Sequence, residues 1–566
     1  MILLKSMLTR ILHQLSYLFS LKEEKAFSQS CHDVEKAQSR VFENIMLSID
    51  GSESAIHHGL SAKTDLDTFK TRVPVTDYID WSKWIERQQK QYINVLTNGD
   101  CQRYQPTSGS TSKIKWIPYN KSFLNELDNA ISPWVADMYR TYPKIKSGKH
   151  YWSLSWVPSD LRNKLTSSIN NDLQLLPWWK QLFMSGTMAV PESTSLAETS
   201  DESFFATSCY LVSCSDLSFI SVWSPTFALS LLDFILQNKS DISAVLSTGI
   251  WPDKYPSLQT LNAPKNKQAA HTLDIWDGKI DSDFTASIWP NLALISAWDT
   301  SSSTIWAQKL KDLFPHSDFQ GKGLWATEGV TSIPYTDQFP LTINSHFYEF
   351  EEIDSKQIFD SWQLKKDMIV RPIISSSNGL LRYGMKDQLK VTGFINQCPC
   401  FEFIGRMDGT DMVGEKLSTE TAVQLLNEFN NEIGITPITL IAIPASAQQQ
   451  KPNYLLLCEK NNDVFEHLSD EQVRSKEALL EKSLEEKLSK HFHYQLAREL
   501  GQLEKAKVSI KTDALALYAD HKVEQGMVKG NIKVEPLVLW QNLSSSIIFN
   551  QPETNHNEKS NQETNP

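Results

Sequence analysis

Apolar residues recur at helical spacing in several parts of the chain. Residues 1–60 carry this pattern up to a stop at Gly51, and further helical patterns cover 121–140 and 421–430. A stripe at every fourth position predicts one long helix over 478–500 with a face toward a core. That stripe comprises Leu480, Leu484, Leu488, Phe492, Leu496 and Leu500. The apolar face expected near the start comprises Val41, Ile45, Met46 and Leu47.

Short apolar runs bounded by turn residues predict strands between these helices. Residues 210–223 read as a strand followed by a helix through Leu236, and 292–298 as another strand. The runs 438–443 and 454–458 predict two more. Alternation of strands and helices of this kind favours an α/β architecture.

Composition places the chain among ordinary globular proteins. Its 566 residues are too many for one hydrophobic core, so more than one domain is expected. A net charge of -12 argues against a nucleic-acid partner held by general electrostatics. Seven scattered cysteines without zinc spacing fit free thiols in a reducing compartment, and a cytoplasmic location is expected.

The N-terminal twenty residues allow two interpretations. Lys5 and Arg10 precede apolar residues, as in a signal peptide, but His13, Gln14 and Ser16 interrupt the apolar block. An amphipathic first helix is the preferred interpretation. No stretch reaches the roughly 18 apolar residues of a membrane span. We expect no membrane span, and a monomer or weak oligomer.

The stretch 107–115 carries the strongest candidate chemistry. It reads Thr107-Ser108-Gly109-Ser110-Thr111-Ser112-Lys113-Ile114-Lys115. Such a loop can aim hydroxyls and backbone N–H groups at one anion, Gly109 allows close approach, and Lys115 adds a charge. A nucleoside triphosphate is the natural ligand. The alternative is an ordinary Ser/Thr-rich surface loop.

This stretch resembles the phosphate loop of the adenylate-forming superfamily, Thr-Ser-Gly-Thr-Thr-Gly-x-Pro-Lys. The continuation Trp116-Ile117-Pro118-Tyr119 is similar to the Gretchen Hagen 3 family of acyl acid–amido synthetases, which includes auxin-conjugating enzymes and bacterial relatives. The resemblance is to a bacterial member and extends over about 35–545. Ser112 and Ile114 depart from the superfamily pattern at positions that are often Gly and Pro.

Two later motifs continue the resemblance. Leu324-Trp325-Ala326-Thr327-Glu328 stands where the superfamily has Tyr-Gly-x-Thr-Glu, so Thr327 and Glu328 are implied nucleotide contacts and Glu328 a Mg²⁺ ligand. Leu324 replaces the aromatic residue, and Trp325 is a neighbour that can compensate. The alternative for such a Thr-Glu pair is a solvated turn.

The third motif places Asp387 where the family has the acid that accepts bonds from the ribose hydroxyls. Lys386 departs there from the usual Gly. Arg406 resembles the family's Gly-Arg cation, and Lys416 falls in its Gly-Glu-Lys run. Lys533 lies in a terminal run similar to Gly-Gln-x-Lys-x-Pro. Without the resemblance, Arg406 and Lys416 are plain surface cations.

The resemblance implies a two-step ligase. A carboxylic acid attacks the α-phosphate of ATP to form an acyl adenylate and pyrophosphate, and an amine, typically an amino acid, then displaces AMP. Lys416, Lys533 and Lys115 are the implied catalytic cations, with Lys416 favoured over Lys533 for the first step. The implied domains are a large N-terminal α/β domain over 1–417 and a small, mobile C-terminal α/β domain over 418–550. Residues 551–566 include no apolar residue, which predicts a disordered tail.

Two other functions remain open at this stage. A superfamily ligase that passes the acyl group to coenzyme A uses the same first step. A binding or scaffold protein that kept the fold and lost turnover is the third possibility, and the departures at Ser112 and Lys386 keep it open.

Overall fold

The structure is a computed structural model that describes most of the chain. The described residues are 2–90, 93–107, 115–153, 186–300, 303–407, 409–410, 412–413, 415, 417–430, 432, 434–445, 451–461, 469–499, 502–525, 527 and 532–540. They form two compact units. Unit 1 comprises Met1–Met407 and Tyr518–Val534, and unit 2 comprises Asp408–Leu517 and Glu535–Pro566.

Sixteen helices are present in the described residues. In chain order they are α1 Ile2–Ser30, α2 Val34–Ile49, α3 Glu53–His57, α4 Leu66–Arg72, α5 Tyr78–Gln89, α6 Lys121–Thr141, α7 Ser200–Ser213, α8 Pro225–Gln237, α9 Lys239–Thr248, α10 Lys267–Ile275, α11 Ser282–Ile288, α12 Thr304–Leu313, α13 Thr419–Phe429, α14 Asp470–Leu488, α15 Phe492–Glu499 and α16 Ala514–Glu524. Short 3₁₀ turns cover Pro143–Ser147, Glu192–Leu196, Pro256–Thr260 and Ser361–Gln363.

Eighteen strands are present in the same residues. They are β1 Cys101–Thr107, β2 Lys115–Asn120, β3 Lys149–Trp152, β4 Leu217–Ser221, β5 Leu294–Ser296, β6 Asp318–Gln320, β7 Trp325–Ala326, β8 Gly329–Val330, β9 Phe347–Glu352, β10 Ile358–Asp360, β11 Ile369–Ser375, β12 Tyr383–Gly384, β13 Asp387–Ile395, β14 Cys398–Arg406, β15 Ile435–Ile443, β16 Asn453–Lys460, β17 Lys507–Lys511 and β18 Leu537–Leu539. The predicted α/β class is confirmed.

The N-terminal segment forms three helices rather than one continuous helical region. Asp33 and Ser52 cap the second and third, since their side chains accept the N–H groups of Lys36 and Ala55. Most of the predicted apolar face of α2 is buried, including Val41, Ile45 and Met46. The inclusion of Leu47 was wrong, because that side chain is 57% exposed.

Strands β3 to β6 form one parallel sheet in the order β3-β4-β5-β6. Parallel strands align their carboxyl ends at one edge. Here that edge is a row of cross-strand partners, Trp152, Ser221, Ser296 and Gln320. Helices α7 to α12 supply much of the apolar core packed with this sheet.

The strand predicted over 210–223 was wrong in its first half. Residues up to Ser213 belong to α7, and β4 begins only at Leu217. Thr199 explains the helix, because it forms a capping box with Glu202 that starts α7 firmly. The strand predicted over 292–298 is present but shorter, at Leu294–Ser296.

A six-stranded antiparallel sheet forms the second half of unit 1. Its order is β10-β9-β11-β13-β14, and β12 pairs with β11 at the side. A buried ion pair joins this sheet to the chain before it. Arg382 donates from Nε and Nη2 to both carboxylate oxygens of Glu349, at 2.8 and 2.9 Å, and from Nη1 to the carbonyls of Lys70 and Val73.

Unit 2 is built on a four-stranded sheet in the order β17-β16-β15-β18. The long helix predicted over 478–500 was wrong as one element. It is two helices, because α14 ends at Leu488, a turn and a bend cover 489–491, and α15 begins at Phe492. Leu480 and Leu484 are buried as predicted, with Leu488. The side chains of Phe492, Leu496 and Leu500 lie outside the described residues.

Two further features concern the state of the cysteine thiols and the length and polarity of the described helices. All seven cysteines are free thiols, and Cys101 alone among them is not fully buried. Among the described helices, none is long and apolar enough to cross a bilayer. The predicted tail at 551–566 lies outside the described residues.

Candidate functional site

The first candidate stretch joins two strands of a hairpin. Strands β1 and β2 pair antiparallel, and Thr107 lies directly opposite Lys115. The segment between them, which includes Ser108, Gly109, Ser110 and Thr111, lies outside the described residues. The hairpin therefore returns the chain so that both ends of the predicted phosphate loop meet.

Lys115 is the described end of that loop, and helix α5 helps to position it. Its Nζ lies 5.6 Å from the centre of the Tyr78 ring. The Tyr78 hydroxyl accepts the backbone N–H of Trp116 at 2.8 Å, which ties α5 to the start of β2. Burial, together with the negative charges of Glu86 and Glu328, raises the pKa of Tyr78, so this hydroxyl stays protonated.

The second candidate motif is a tight hairpin. Strands β7 and β8 pair antiparallel, and Thr327 and Glu328 are the two turn residues between them. The Tyr119 hydroxyl, from β2, donates to the Thr327 carbonyl at 3.0 Å. The Tyr383 hydroxyl, from β12, donates to Glu328 Oε1 at 3.2 Å. The turn thus brings the Thr-Glu pair together with residues from both neighbouring motifs.

The third motif lies at the ends of two neighbouring strands. Asp387 begins β13 and Arg406 ends β14, and the two are direct cross-strand partners. Arg406 Nε is 3.7 Å from Asp387 Oδ1. The Asp387 side chain is 17% exposed and that of Arg406 is 39% exposed, so both remain accessible. Lys386, the residue that departs from the family pattern, is exposed.

Lys533 reaches this group from the far end of the chain. It belongs to unit 1, and its Nζ lies 4.8 Å from the centre of the Trp298 ring. The Tyr518 hydroxyl donates to the Lys533 carbonyl at 3.2 Å. Burial lowers the pKa of Lys533, the Asp387 carboxylate opposes that shift, and Arg406 adds to it. The favoured cation, Lys416, lies outside the described residues.

The electrostatics link the separate motifs into one site. Burial raises the pKa of Glu328, and the negative charge of Asp387 adds to this. The Glu328 backbone N–H, the positive charge of Lys115 and the Tyr383 hydroxyl act in the opposite direction. Lys115, Glu328, Asp387, Arg406 and Lys533 therefore interact, although they come from distant parts of the sequence.

Two nearby carboxylates offer hard oxygen ligands to a cation. Mg²⁺ takes few protein ligands and completes its shell with water and phosphate oxygens. Glu328 and Asp387 match this coordination preference. In the part of the chain that the structure describes, no group of three or more His, Cys, Asp or Glu gathers around a point, so an all-protein metal cage is absent there.

Sequence reasoning missed one residue close to this site. Lys322 follows β6 and is only 6% exposed. Its Nζ donates to Ser221 Oγ at 2.9 Å and to Ser296 Oγ at 3.3 Å. Three indole rings, from Trp134, Trp223 and Trp325, lie 5.3 to 5.8 Å from the same nitrogen. The available signal was a lysine between Gly321 and Gly323, directly before the Thr-Glu motif.

The two glycines explain how a lysine fits there. A Cβ on Gly323 would lie 2.0 Å from the backbone oxygen of Ser332. A Cβ on Gly321 would lie 2.3 Å from Asp299 Oδ1. At Gly323 only a hydrogen is accommodated, because the neighbouring atoms are backbone, whereas at Gly321 the Asp299 side chain would have to move.

Trp325 lies among other indole rings. Its ring packs edge-on against Trp134 and Trp223, at 5.3 and 5.4 Å. Leu324, at the position of the family's aromatic residue, is buried in the core. That Trp325 compensates for the missing aromatic residue stays a prediction.

The arrangement suits an anionic ligand with a sugar. Three cations, Lys115, Arg406 and Lys533, act with the carboxylates Glu328 and Asp387 in one region of unit 1. The cations can neutralise phosphate charge, and a carboxylate can accept two bonds from a vicinal diol. The described site residues lack a nucleophile with an adjacent general base, which favours chemistry by positioning and charge.

Comparison with known proteins supports this interpretation. Three successive profiles of one family match the chain, described as the GH3 family N-terminal domain over 23–319, central domain over 339–406 and C-terminal domain over 418–542. The chain is 22% identical over 469 residues to "Indole-3-acetic acid-amido synthetase GH3.4" of Arabidopsis thaliana, covering 73% of this chain and 75% of that protein. It is 23% identical over 445 residues to "Jasmonoyl--L-amino acid synthetase JAR6" of Nicotiana attenuata, covering 71% and 74%.

Solved structures agree on the fold. A structure described as "AtGH3.15 acyl acid amido synthetase in complex with 2,4-DB" superposes with a TM-score of 0.76 at 15% identity, and covers 94% of each chain. Another, "GH3.15 acyl acid amido synthetase", has a TM-score of 0.73 at 16% identity, with 91% of this chain and 93% of that chain covered. With three family profiles matched in order over most of its length, this chain belongs to the GH3 family.

Proposed function

We propose that the protein is an ATP-dependent acyl acid–amido synthetase. It adenylates a carboxylic acid with release of pyrophosphate and then transfers the acyl group to an amine, in our proposal an amino acid, with release of AMP. The relatives in the family carry names of such ligases, including indole-3-acetic acid-amido and jasmonoyl-amino acid synthetases.

One observation carries the proposal beyond family membership. The Thr327-Glu328 turn, Asp387 and Lys115 come from three motifs that lie far apart in sequence, and the fold brings them into one interacting group. A ligase that adenylates an acid needs this combination, because one ligand presents a ribose, three phosphates and a metal ion together.

Each residue then has a role that its chemistry supports. Asp387 accepts hydrogen bonds from the ribose hydroxyls. Lys115 and Arg406 contact phosphate oxygens, and Lys533 neutralises charge that builds on the α-phosphate during attack. The backbone and hydroxyls of 107–111 form the remaining phosphate contacts in this proposal.

Glu328 is the proposed Mg²⁺ ligand. A bound Mg²⁺ neutralises phosphate charge and orients the phosphates for displacement. Tyr383 holds the carboxylate in place through its hydroxyl. Asp387 influences the Glu328 pKa, so a cation held by Glu328 would also reduce the repulsion between these two carboxylates.

The second step requires no covalent enzyme intermediate. The amine attacks the activated carbonyl, forms the C–N bond and expels AMP, while one proton leaves the nitrogen. Positioning of the two substrates supplies the rate enhancement in such a reaction. We further propose that the small domain, 418–550 in the predicted division, moves relative to 1–417 between these two steps.

Pyrophosphate exchange tests the first step. The protein is incubated with ATP, Mg²⁺, labelled pyrophosphate and a panel of acids comprising indole-3-acetate, phenylacetate, benzoate and hexanoate. Acid-dependent label in ATP is expected. Absence of exchange with every acid, in a protein that binds ATP by calorimetry, would support an inactive relative. Product mass after addition of amino acids or coenzyme A then separates an amide from a thioester.

A further inference from the structure

Lys322 is a buried cation without a carboxylate partner in the part of the chain that the structure describes. We call its surroundings the Lys322 chamber, formed by Lys322, Ser221, Ser296, Trp134, Trp223 and Trp325. A buried ammonium is costly unless it is paired or loses its proton. Two serine hydroxyls and three indole faces offset part of this cost, but none of them carries a negative charge.

The hydrogen-bonding capacity of the chamber is also incomplete. An ammonium has three donors, and the two serine hydroxyls account for two. The indole Nε1 of Trp325 is buried and has no hydrogen-bond partner among the described residues. When Lys322 is protonated, its third donor and the Trp325 Nε1 both lack an acceptor among the described residues, and buried donors rarely stay unpaired.

The position of the chamber points to a ligand. Ser221 and Ser296 are cross-strand partners at the carboxyl edge of the parallel sheet, where α/β folds commonly bind ligands. Trp223 and Trp325 are partly exposed, whereas Trp134 is buried beneath them. The residues around Lys322 thus include two that are partly accessible to solvent.

The chamber also lies next to the proposed nucleotide site. The positive charge of Lys533 acts on Lys322, and Lys533 in turn interacts with Asp387 and Arg406. The Trp298 ring under Lys533 belongs to a residue whose N–H donates to the Trp223 carbonyl at 3.1 Å. Lys322 also precedes the Thr327-Glu328 turn by only a few residues.

We propose that the Lys322 chamber binds the carboxylate of the acid substrate, with Lys322 as its counter-ion and the indole rings as walls for its apolar body. This inference rests on the proposed function. A carboxylate has two oxygens for the two unpaired donors and one charge for the ammonium. A phosphate is a poorer fit, because it carries more charge than one lysine among indoles can balance.

The pKa of Lys322 is unusual, and proton uptake at this lysine therefore reports carboxylate binding directly. Burial and the charge of Lys533 lower the pKa of Lys322 to about 7. A carboxylate bound beside it favours the ammonium and raises that pKa again. Binding at pH 8 should therefore take up a proton, which a lysine of ordinary pKa would not do.

The experiment uses calorimetry and exchange on the full chain. Each acid of the panel is titrated into the protein at pH 8 in buffers of different ionisation enthalpy, and its primary amide is the neutral control. Uptake approaching one proton is expected with a carboxylate and none with the amide. The Lys322→Met variant should lose the uptake, and Lys322→Arg should retain binding without it.

A matched control is available in the same unit. Lys239 also lies on an indole face, 5.6 Å from the Trp276 ring centre, and donates to the Trp276 carbonyl. Lys239→Met should keep proton uptake and exchange. In exchange assays, Lys322→Met should raise the KM for the acid by about 10- to 100-fold and leave the KM for ATP within about twofold. Ser221→Ala, a milder change, should have a smaller effect of the same kind.

The outcomes separate this inference from the proposed function. An unchanged acid KM in a folded Lys322→Met protein, or acid-dependent exchange without proton uptake at Lys322, overturns the chamber and leaves the ligase intact. Proton uptake with the acids, lost in Lys322→Met, but without exchange in wild type supports the chamber and overturns the ligase. Proton uptake with ATP or pyrophosphate alone assigns the chamber to phosphate. If the wild type shows no proton uptake and no exchange, both the chamber and the ligase are overturned.

Discussion

At the scale of single residues, Asp387 has the most specific expected role. The Asp387→Ala change should weaken ATP binding about 10- to 100-fold, because one charge-assisted pair contributes roughly 1.5–3 kcal/mol. Calorimetry of ATP binding measures it. The exposed Asp253→Ala variant is the control and should bind ATP as the wild type does. Unchanged affinity for ATP, at an unchanged melting temperature, would remove Asp387 from the site.

Glu328 is expected to act through the metal. Glu328→Gln keeps the size and the hydrogen-bond acceptor for Tyr383 but removes the charge. Pyrophosphate exchange should slow about tenfold or more, since a metal supplies several kcal/mol of charge stabilisation. Raising the Mg²⁺ concentration should recover part of the rate. A defect that is indifferent to Mg²⁺ would indicate a structural role for this carboxylate.

Lys533 and Lys416 compete for the first half-reaction. The sequence favoured Lys416, whereas Lys533 is the one described beside Asp387 and Arg406. We expect Lys533→Ala to lower pyrophosphate exchange by roughly 10²-fold, as loss of one oriented transition-state partner typically does. Pre-formed acyl adenylate should still give amide. Near-normal exchange in Lys533→Ala, with a large loss in Lys416→Ala, would return the role to Lys416.

At the scale of elements, the turn between β6 and β7 is the tightest feature near the site. Gly323→Ala would place a methyl group 2.0 Å from the Ser332 backbone oxygen. Because a backbone atom cannot swing aside, the free energy of unfolding should fall by about 2–3 kcal/mol. Gly393→Ala in β13, where the new Cβ meets nothing within 4 Å, is the matched control. Urea unfolding of both variants measures the difference, and equal stability would contradict the expected clash.

The same scale shows which elements the sequence could predict. Regular periodicity with a clear cap was sufficient, as for α6 and α13. The prediction failed at Ser213, where a capped helix extends into an apolar run that was predicted as a strand. It also failed after Leu488, where a helix ends inside a continuous apolar stripe. Pattern alone carries no information on these competing local bonds.

The candidate site divides in the same way. Glu328, Asp387 and Arg406 could be proposed from the sequence because their motifs are contiguous, and the fold brings them together. Lys322 was missed because its partners Ser221 and Ser296 lie at strand ends far away in the chain. A buried lysine is recognisable only after the sheet register places those hydroxyls beside it.

At the scale of the whole molecule, a buried histidine pair should make stability depend on pH. The rings of His13 and His150 stack at 4.1 Å, and both are buried. His13 bonds to the Tyr139 hydroxyl and the Gly148 carbonyl, each at 2.8 Å. Burial lowers the pKa of His13 to about 4, and burial with the charge of His13 lowers the pKa of His150.

The sign follows from proton binding. Between about pH 4 and 6.5 the unfolded chain binds protons at these rings and the folded chain does not, so stability rises with pH in that window. This contribution to the free energy of unfolding is fully present above about pH 6.5 and is lost as the pH falls towards about 4. His13 supplies about 3 kcal/mol of it. Urea unfolding from pH 7.5 to 5 measures the slope. His13→Gln should flatten it and the exposed His271→Gln should not; equal slopes in all three would contradict the burial argument.

Unit 1 is assembled from two separate stretches of chain, and this has a consequence for synthesis on the ribosome. Lys115, Glu328, Asp387 and Arg406 have all been synthesised once Met407 is made, but Lys533 follows only after the whole of 408–532. At about 5–20 residues per second, that interval is on the order of ten seconds. Until residue 533 is made, a nascent chain holds Asp387 and the proposed metal ligand Glu328 without this lysine, so the complete set of charges forms only after that point.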